Sequence, residues 1–176
     1  IAFYVNAVSS PATSVPTKIY LKETSSAAFT VGTTYATETA GATLVFDGVV
    51  TSAELVAGSW ITKTLSTSFT YSGTQNLEVI VETNYGGTGG EGQTGKTFRY
   101  NNSTTPNYYF QYWQADNSPP TGTGTLLYYR KNIQLGFTPS VTCSGTPVAG
   151  TAVASPASVC PGGAFGLSFT GRRLMD

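Results

Sequence analysis

The runs TKIYLKE (residues 17–23) and NLEVIVETN (residues 76–84) decide the fold. In the first, Ile19 and Leu21 alternate with Lys18, Tyr20 and Lys22. In the second, Leu77, Val79 and Val81 face one way, and Glu78, Ile80 and Glu82 the other. A period of two marks a half-buried strand, because successive side chains leave a pleated backbone on opposite sides. The same reading predicts strands in IAFYVNAV (1–8), TLVFDGVV (43–50), SWITKTLS (59–66), TFRY (97–100), NYYFQYW (107–113) and TLLYYRKNIQLGF (125–137). Trp60 is expected in the core beside Ile61 and Leu65. Gly, Pro, Asn and Ser fill the gaps, as in SSPATSVP, NNSTTPN and ADNSPPTGTG, and these residues favour turns. SSAAFTVGTTYATETAGA (25–42) has no sustained period and is expected to be a long connection. No segment carries the 3.6-residue apolar stripe of a helix. Short strands, tight turns and no helical period predict an all-β chain, an antiparallel jelly-roll-like β-sandwich.

The strand pattern gives way near Thr138 and Pro139 to small residues and prolines around one late apolar run, LSF at 167–169. Residues 1–138 are therefore expected to form the sandwich module. Its opening in the middle of a strand suggests a truncated start. Residues 139–176 are expected to be a short C-terminal extension, a linker plus the start of a further domain, because so few residues rarely bury a core of their own.

Composition bounds the function. The 176 residues suit one good-sized domain, and an aromatic share of 12% gives it surface to bury. Charged residues make up only 10% against the usual ~25%, so Ser, Thr, Asn, Gln and Gly carry the solubility. Nine basic residues balance nine acidic ones, so the net charge offers no field to draw in a polyanion, and nucleic acid is not expected as a partner. No run approaches the ~20 apolar residues of a membrane-spanning helix, so no membrane insertion is expected. Histidine is absent, which excludes Ser-His-Asp, Cys-His and histidine-zinc chemistry. Cys143 and Cys160 are the only cysteines, too few to make a zinc site alone.

The densest candidate site is the aromatic run Tyr108, Tyr109, Phe110, Tyr112 and Trp113, supported by Tyr128 and Tyr129. In a strand, Tyr109, Gln111 and Trp113 share one face and Tyr108, Phe110 and Tyr112 the other. Phe110 makes the second set the expected core face, which leaves Tyr109, Gln111 and Trp113 exposed. Flat aromatics flanked by an amide suit a sugar, whose C–H face stacks on the ring while its hydroxyls find amide partners. The simpler reading is that these rings fill cross-strand pairs of the sandwich.

Other constellations are weaker. Glu82, Asn84, Glu91 and Asp116 could offer oxygen ligands to calcium, but they form no recognised calcium loop and are better read as solvated surface groups. No cofactor is expected. Glu78 and Glu82 share a strand face at about 13–14 Å, too far apart for a glycosidase pair. The stretch from Gly90 through Gly95, Lys96 and Thr97 matches a phosphate loop literally, yet TFRY continues as a strand and supplies no helix N-terminus. Asn101 and Asn102 each begin a glycosylation sequon, meaningful only in a eukaryotic secretory route.

IAFYV, TKIYLKET, ATLVFDG, GSWITKTLSTSFTYSGTQNLEVIVETNYGG and TLLYYRKNIQLGF together resemble an accessory module repeated in large secreted and cell-surface proteins of Bacteroidetes, often ones exported by type IX secretion. The resemblance covers most of residues 1–137. CSGTPVAGTAVASPASVCPGGAFGLSFTG looks like the opening of an immunoglobulin-like repeat that follows in such proteins, from which the closing GRRLMD departs. The resemblance implies a jelly-roll-like sandwich in an adhesin, protease or polysaccharide-degrading protein, secreted or on the cell surface, beside the neighbouring domains of its parent. It brings no catalytic residues. The extracellular setting it implies permits a disulfide between Cys143 and Cys160; the alternative pairs Cys160 with a cysteine beyond residue 176. The expected function is a non-catalytic adhesion or carbohydrate-binding module with a polysaccharide or cell-surface glycan as ligand. The rival is a structural spacer in a multidomain adhesin or secreted enzyme.

Overall fold

The computed structural model describes residues 1–8, 13–83, 97–102, 107–115, 119–138, 151–155 and 166–170, the last two stretches as backbone. Within these the chain forms strands β1 (Ala2–Ala7), β2 (Val15–Thr24), β3 (Thr43–Val50), β4 (Trp60–Thr62), β5 (Asn76–Thr83), β6 (Thr97–Phe98) and β7 (Tyr100–Asn102). They continue as β8 (Phe110–Tyr112), β9 (Thr125–Leu127), β10 (Tyr129–Lys131), β11 (Ile133–Gln134), β12 (Thr151–Ser155) and β13 (Gly166–Thr170). The only helices among the described residues are the five-residue α1 (Tyr35–Thr39) and a single 3-10 turn at Ser52–Glu54. All strand pairings among the described residues are antiparallel, and the fold is all-β and sandwich-like.

The chain divides into two compact units, Ile1–Gly136 and Phe137–Asp176. In the second, β12 and β13 pair as an antiparallel hairpin, Thr151 opposite Thr170. Cys143 and Cys160 lie outside the described residues, as do the Gly-rich loop with its phosphate-loop match and the acids Glu91 and Asp116.

In the first unit, β2 is the central strand of the sheet β3-β2-β5, and β1 is flanked by β4 on one edge and by β11 and β6 on the other. Ile19, Leu21 and Val45 form the heart of the core, and Leu77 and Val79 pack on it from β5 while Ile1 and Phe3 do so from the β1 side. Two sheets thus face each other through the residues that the period of two selects. A second cluster, Val5, Leu55 and Ile61, extends the core under β1 and β4.

Trp60 departs from expectation. Ile61 is buried and pairs with Phe3, so Trp60, its neighbour along β4, points away from the core beside Tyr4. The long runs TFRY and TLLYYRKNIQLGF also break into shorter strands. The cause is a three-way exchange of backbone hydrogen bonds: Tyr4 N donates to Asn132 O, Arg99 N to Tyr4 O, and Asn132 N to Arg99 O. At this junction the β7–β10 ribbon leaves β1: Arg99 and Asn132 bond to Tyr4 and to each other, and the residues beyond them pair across the ribbon, Lys131 opposite Tyr100.

Candidate functional site

The face of β2 and β5 turned away from the core carries Tyr20, Lys22, Glu78, Ile80 and Glu82. It is covered by the segment 25–42, which the sequence presents as a featureless connection. Thr34 caps α1, its hydroxyl accepting from Thr37 N at 3.1 Å, and the short helix carries Tyr35 and Glu38 down onto the sheet. Lys22 Nζ donates to Glu38 Oε1 at 2.7 Å and to the Glu38 carbonyl at 2.6 Å, and lies 3.3 Å from Glu78 Oε2. Glu82 accepts from the Tyr35 hydroxyl at 2.7 Å and from that of Tyr20 at 3.1 Å.

Two carboxyls held around one ammonium cannot both ionise freely. Burial, reinforced by the hydrogen bond and charge of Glu38, pushes Glu78 up to about 7. Burial also works to raise Glu38, but hydrogen bonds from Lys22 and Thr33 outweigh it and hold Glu38 below the usual carboxylate range. Burial tends to lower the Lys22 ammonium, and its hydrogen bond to Glu38 and the charge of Glu78 reverse that and raise it. Burial and the donated hydrogen bond to Glu82 raise Tyr35. The partner of Glu78 is therefore Glu38, not Glu82. Lys22 bridges the two, which suits a clamp between sheet and covering segment.

Tyr109, Gln111 and Trp113 sit differently from expectation. Gln111 is the buried member of β8 at 7% exposure, while Tyr112 is 38% exposed, so the facing of this strand is the reverse of the one its apolar content suggests. The reason is hydrogen bonding. The Thr33 carbonyl accepts from Gln111 Nε2 at 2.6 Å, from Trp113 Nε1 at 2.8 Å and from Gly124 N at 2.8 Å. Trp113 also meets Tyr35 edge-on at 5.7 Å between ring centroids. Gln111 and Trp113 thus fasten the covering segment, and neither presents a free platform. Tyr109 lies under the Arg130 guanidinium, 4.3 Å from ring centre to cation. Phe110 stacks 6.0 Å from Tyr129, which stacks 4.2 Å from Tyr100, and Lys131 reaches over all three rings. Burial lowers the Lys131 ammonium.

An open concave feature among the described residues lies at the junction of strands. Trp60, Asn101, Arg130 and Asn132 line a shallow groove of about 250 Å³, with Lys131 and Ile133 along it. Register places these side chains together. Phe3 pairs with Ile61 and Ile133 on the core side, so Tyr4, Trp60 and Asn132 share the outer side. Arg130 is opposite Asn101 across β10 and β7. Trp60 stands edge-on to Tyr4 at 5.3 Å and remains 37% exposed, and the Arg99 guanidinium lies over the Tyr4 ring, 5.5 Å from its centre. Sequence reasoning missed this groove. Its one available signal was Trp60 preceding the buried Ile61.

Glu82 is bound to two tyrosines, and Asn84, Glu91 and Asp116 lie outside the described residues. Among the described residues no cluster of three acids, cysteines or histidines could hold a metal ion, and no helix is long and apolar enough to cross a membrane. No protein family, curated protein or solved structure matches the chain.

Proposed function

We propose that the chain is a non-catalytic, glycan-binding accessory module of a secreted or cell-surface bacterial protein of the Bacteroidetes type, with its contact face at Trp60, Asn101, Arg130 and Asn132. The observation that carries this reading is the groove itself: one half-exposed indole beside two side-chain amides and a guanidinium, on the outer side of a sandwich. An indole offers a flat apolar surface to the C–H face of a sugar, and amides and guanidinium offer hydrogen bonds to its hydroxyls. Tyr109, Gln111 and Trp113 serve the fold in this reading, since the last two are engaged by Thr33. The clamped Glu38–Glu78 pair supports a stabilising role for the acids.

The test is retention of the full chain on a panel of immobilised neutral and acidic polysaccharides. Retention on at least one, abolished by soluble ligand, is expected. Folded protein that passes through every column would replace this reading with that of a structural spacer, and turnover of chromogenic glycosides would replace its non-catalytic part.

A further inference from the structure

We infer that the groove takes an acidic glycan, a sugar chain bearing carboxylate or sulfate groups, and this rests on the glycan-binding reading above. Net charge conceals how the charges are placed. The acids among the described residues, Glu23, Glu38, Asp47, Glu54, Glu78 and Glu82, all sit on β2, α1, β3, the 3-10 turn and β5. Lys22 and Lys63 are the bases that join them in ion pairs. Arg99 and Arg130 make no ion pair with a described acid. Both lie instead on the outer side of the junction, each with its guanidinium over a tyrosine ring, Arg99 on Tyr4 and Arg130 on Tyr109.

Arg130 lines the groove with Lys131 beside it, and strand geometry turns Arg99 to the same outer side next to it. Phe98 pairs with Val5 and packs on the core, so Arg99 turns to the side that carries Tyr4 and Trp60. Asn101 lies two residues further along the same direction and faces Arg130 across the ribbon, while Asn132 is bonded to Arg99 through its backbone. The outer face therefore presents an indole, two amides and two guanidiniums whose hydrogen-bonding forks have no carboxylate of this unit's described residues to occupy them. Arginine stacked on a ring keeps its planar edge free, and that edge matches a carboxylate or sulfate bidentately. A neutral sugar would use the indole and amides and leave both forks idle.

The experiment measures affinity of the full chain for oligogalacturonate, for the same oligosaccharide fully methyl-esterified, and for a sulfated and an unsulfated dextran of equal length. Binding to a charged member at least about tenfold tighter than to its neutral counterpart is expected, weakening as salt rises. The carboxylate and sulfate arms identify which anion is preferred. Arg130→Gln should remove about tenfold or more of the affinity for the charged ligand, and Arg130→Lys should recover only part of it, since lysine restores charge but not the fork. Circular dichroism of each variant checks the fold. Equal binding of charged and neutral members, or Arg130→Gln with unchanged affinity, overturns the acidic-glycan inference and leaves glycan binding standing. No binding to either charged or neutral members, here and on the polysaccharide panel, overturns both.

Discussion

Glu78 shows how one residue's chemistry depends on a contact that its own strand does not reveal. The alternation of NLEVIVETN puts Glu78 on the polar face, and in that position alone it would be a solvated acid. Lys22 could be expected beside it once β2 and β5 pair, because the two are register partners. Glu38 could not, since it arrives from a segment without periodicity. Its presence sets the pH response. Glu78 has a folded pKa raised from 4.5 to about 7, so its contribution to stability is fully present below about 4.5 and is lost as pH rises through 7. Glu38 and Glu54 have folded pKa values below 4.5, so theirs are present above that pH and fade as pH falls; Glu54, paired with Lys63, is held down to about 2. Stability from these groups should therefore peak near pH 5. Glu78→Gln should flatten the neutral side, removing a loss on the order of 2 kcal/mol between pH 5 and 8 while keeping the acid-side decline. Urea unfolding at four pH values checks this, and a variant with the same neutral slope as the parent would contradict it.

At the scale of elements, the strand cores were legible and the segments covering them were not. Ile19 and Leu21 are buried as the period of two requires, and Leu77 and Val79 pack beside them. Val81, which shares their side, is exposed at the strand end. In β8 hydrogen bonding overrides apolar content: a carbonyl at Thr33 with three donors aimed at it turns Gln111 inward over Phe110. No local pattern in NYYFQYW encodes that carbonyl. Gly124 is where the arrangement can be probed. A methyl group there would stand 2.6 Å from Gln111 Cγ and 2.8 Å from Trp113 Nε1, so Gly124→Ala must displace both side chains or its own backbone, which donates to Thr33. A destabilisation of about 1–3 kcal/mol is expected, with a changed near-ultraviolet signal from Trp113. A variant as stable as the parent would mean that the Thr33 anchor is loose.

For the whole molecule, composition set the class correctly and hid the charge layout. The low charge, the turn-rich gaps and the absence of helical stripes all point to an antiparallel all-β fold, which is what forms. Nine positive and nine negative residues sum to zero in the sequence, yet the described acids lie on the β3-β2-β5 sheet, its cover and the 3-10 turn, while Arg99 and Arg130 lie on the outer side of the strand junction. That separation arises from long-range register, Tyr4 beside Trp60 and Arg130 opposite Asn101, which no local window displays. The proposed extracellular setting carries a covalent prediction for Cys143 and Cys160, which lie outside the described residues. Peptide mapping without reductant should return one joined peptide pair, and closure of that loop should contribute about 3 kcal/mol. Two thiols open to alkylation would contradict it.

The two tryptophans separate the proposed site from the scaffold. Trp60 is half-exposed at the groove, and Trp113 is hydrogen-bonded to the Thr33 carbonyl and packed on Tyr35. The direct measurement is thermal unfolding and glycan retention of Trp60→Ala and Trp113→Ala side by side. Trp60→Ala should lose retention while its stability changes by under about 1 kcal/mol, and Trp113→Ala should lose about 2–3 kcal/mol yet retain ligand below its lowered Tm. The opposite pattern, with retention lost through Trp113 in a stable fold and kept without Trp60, would contradict the account.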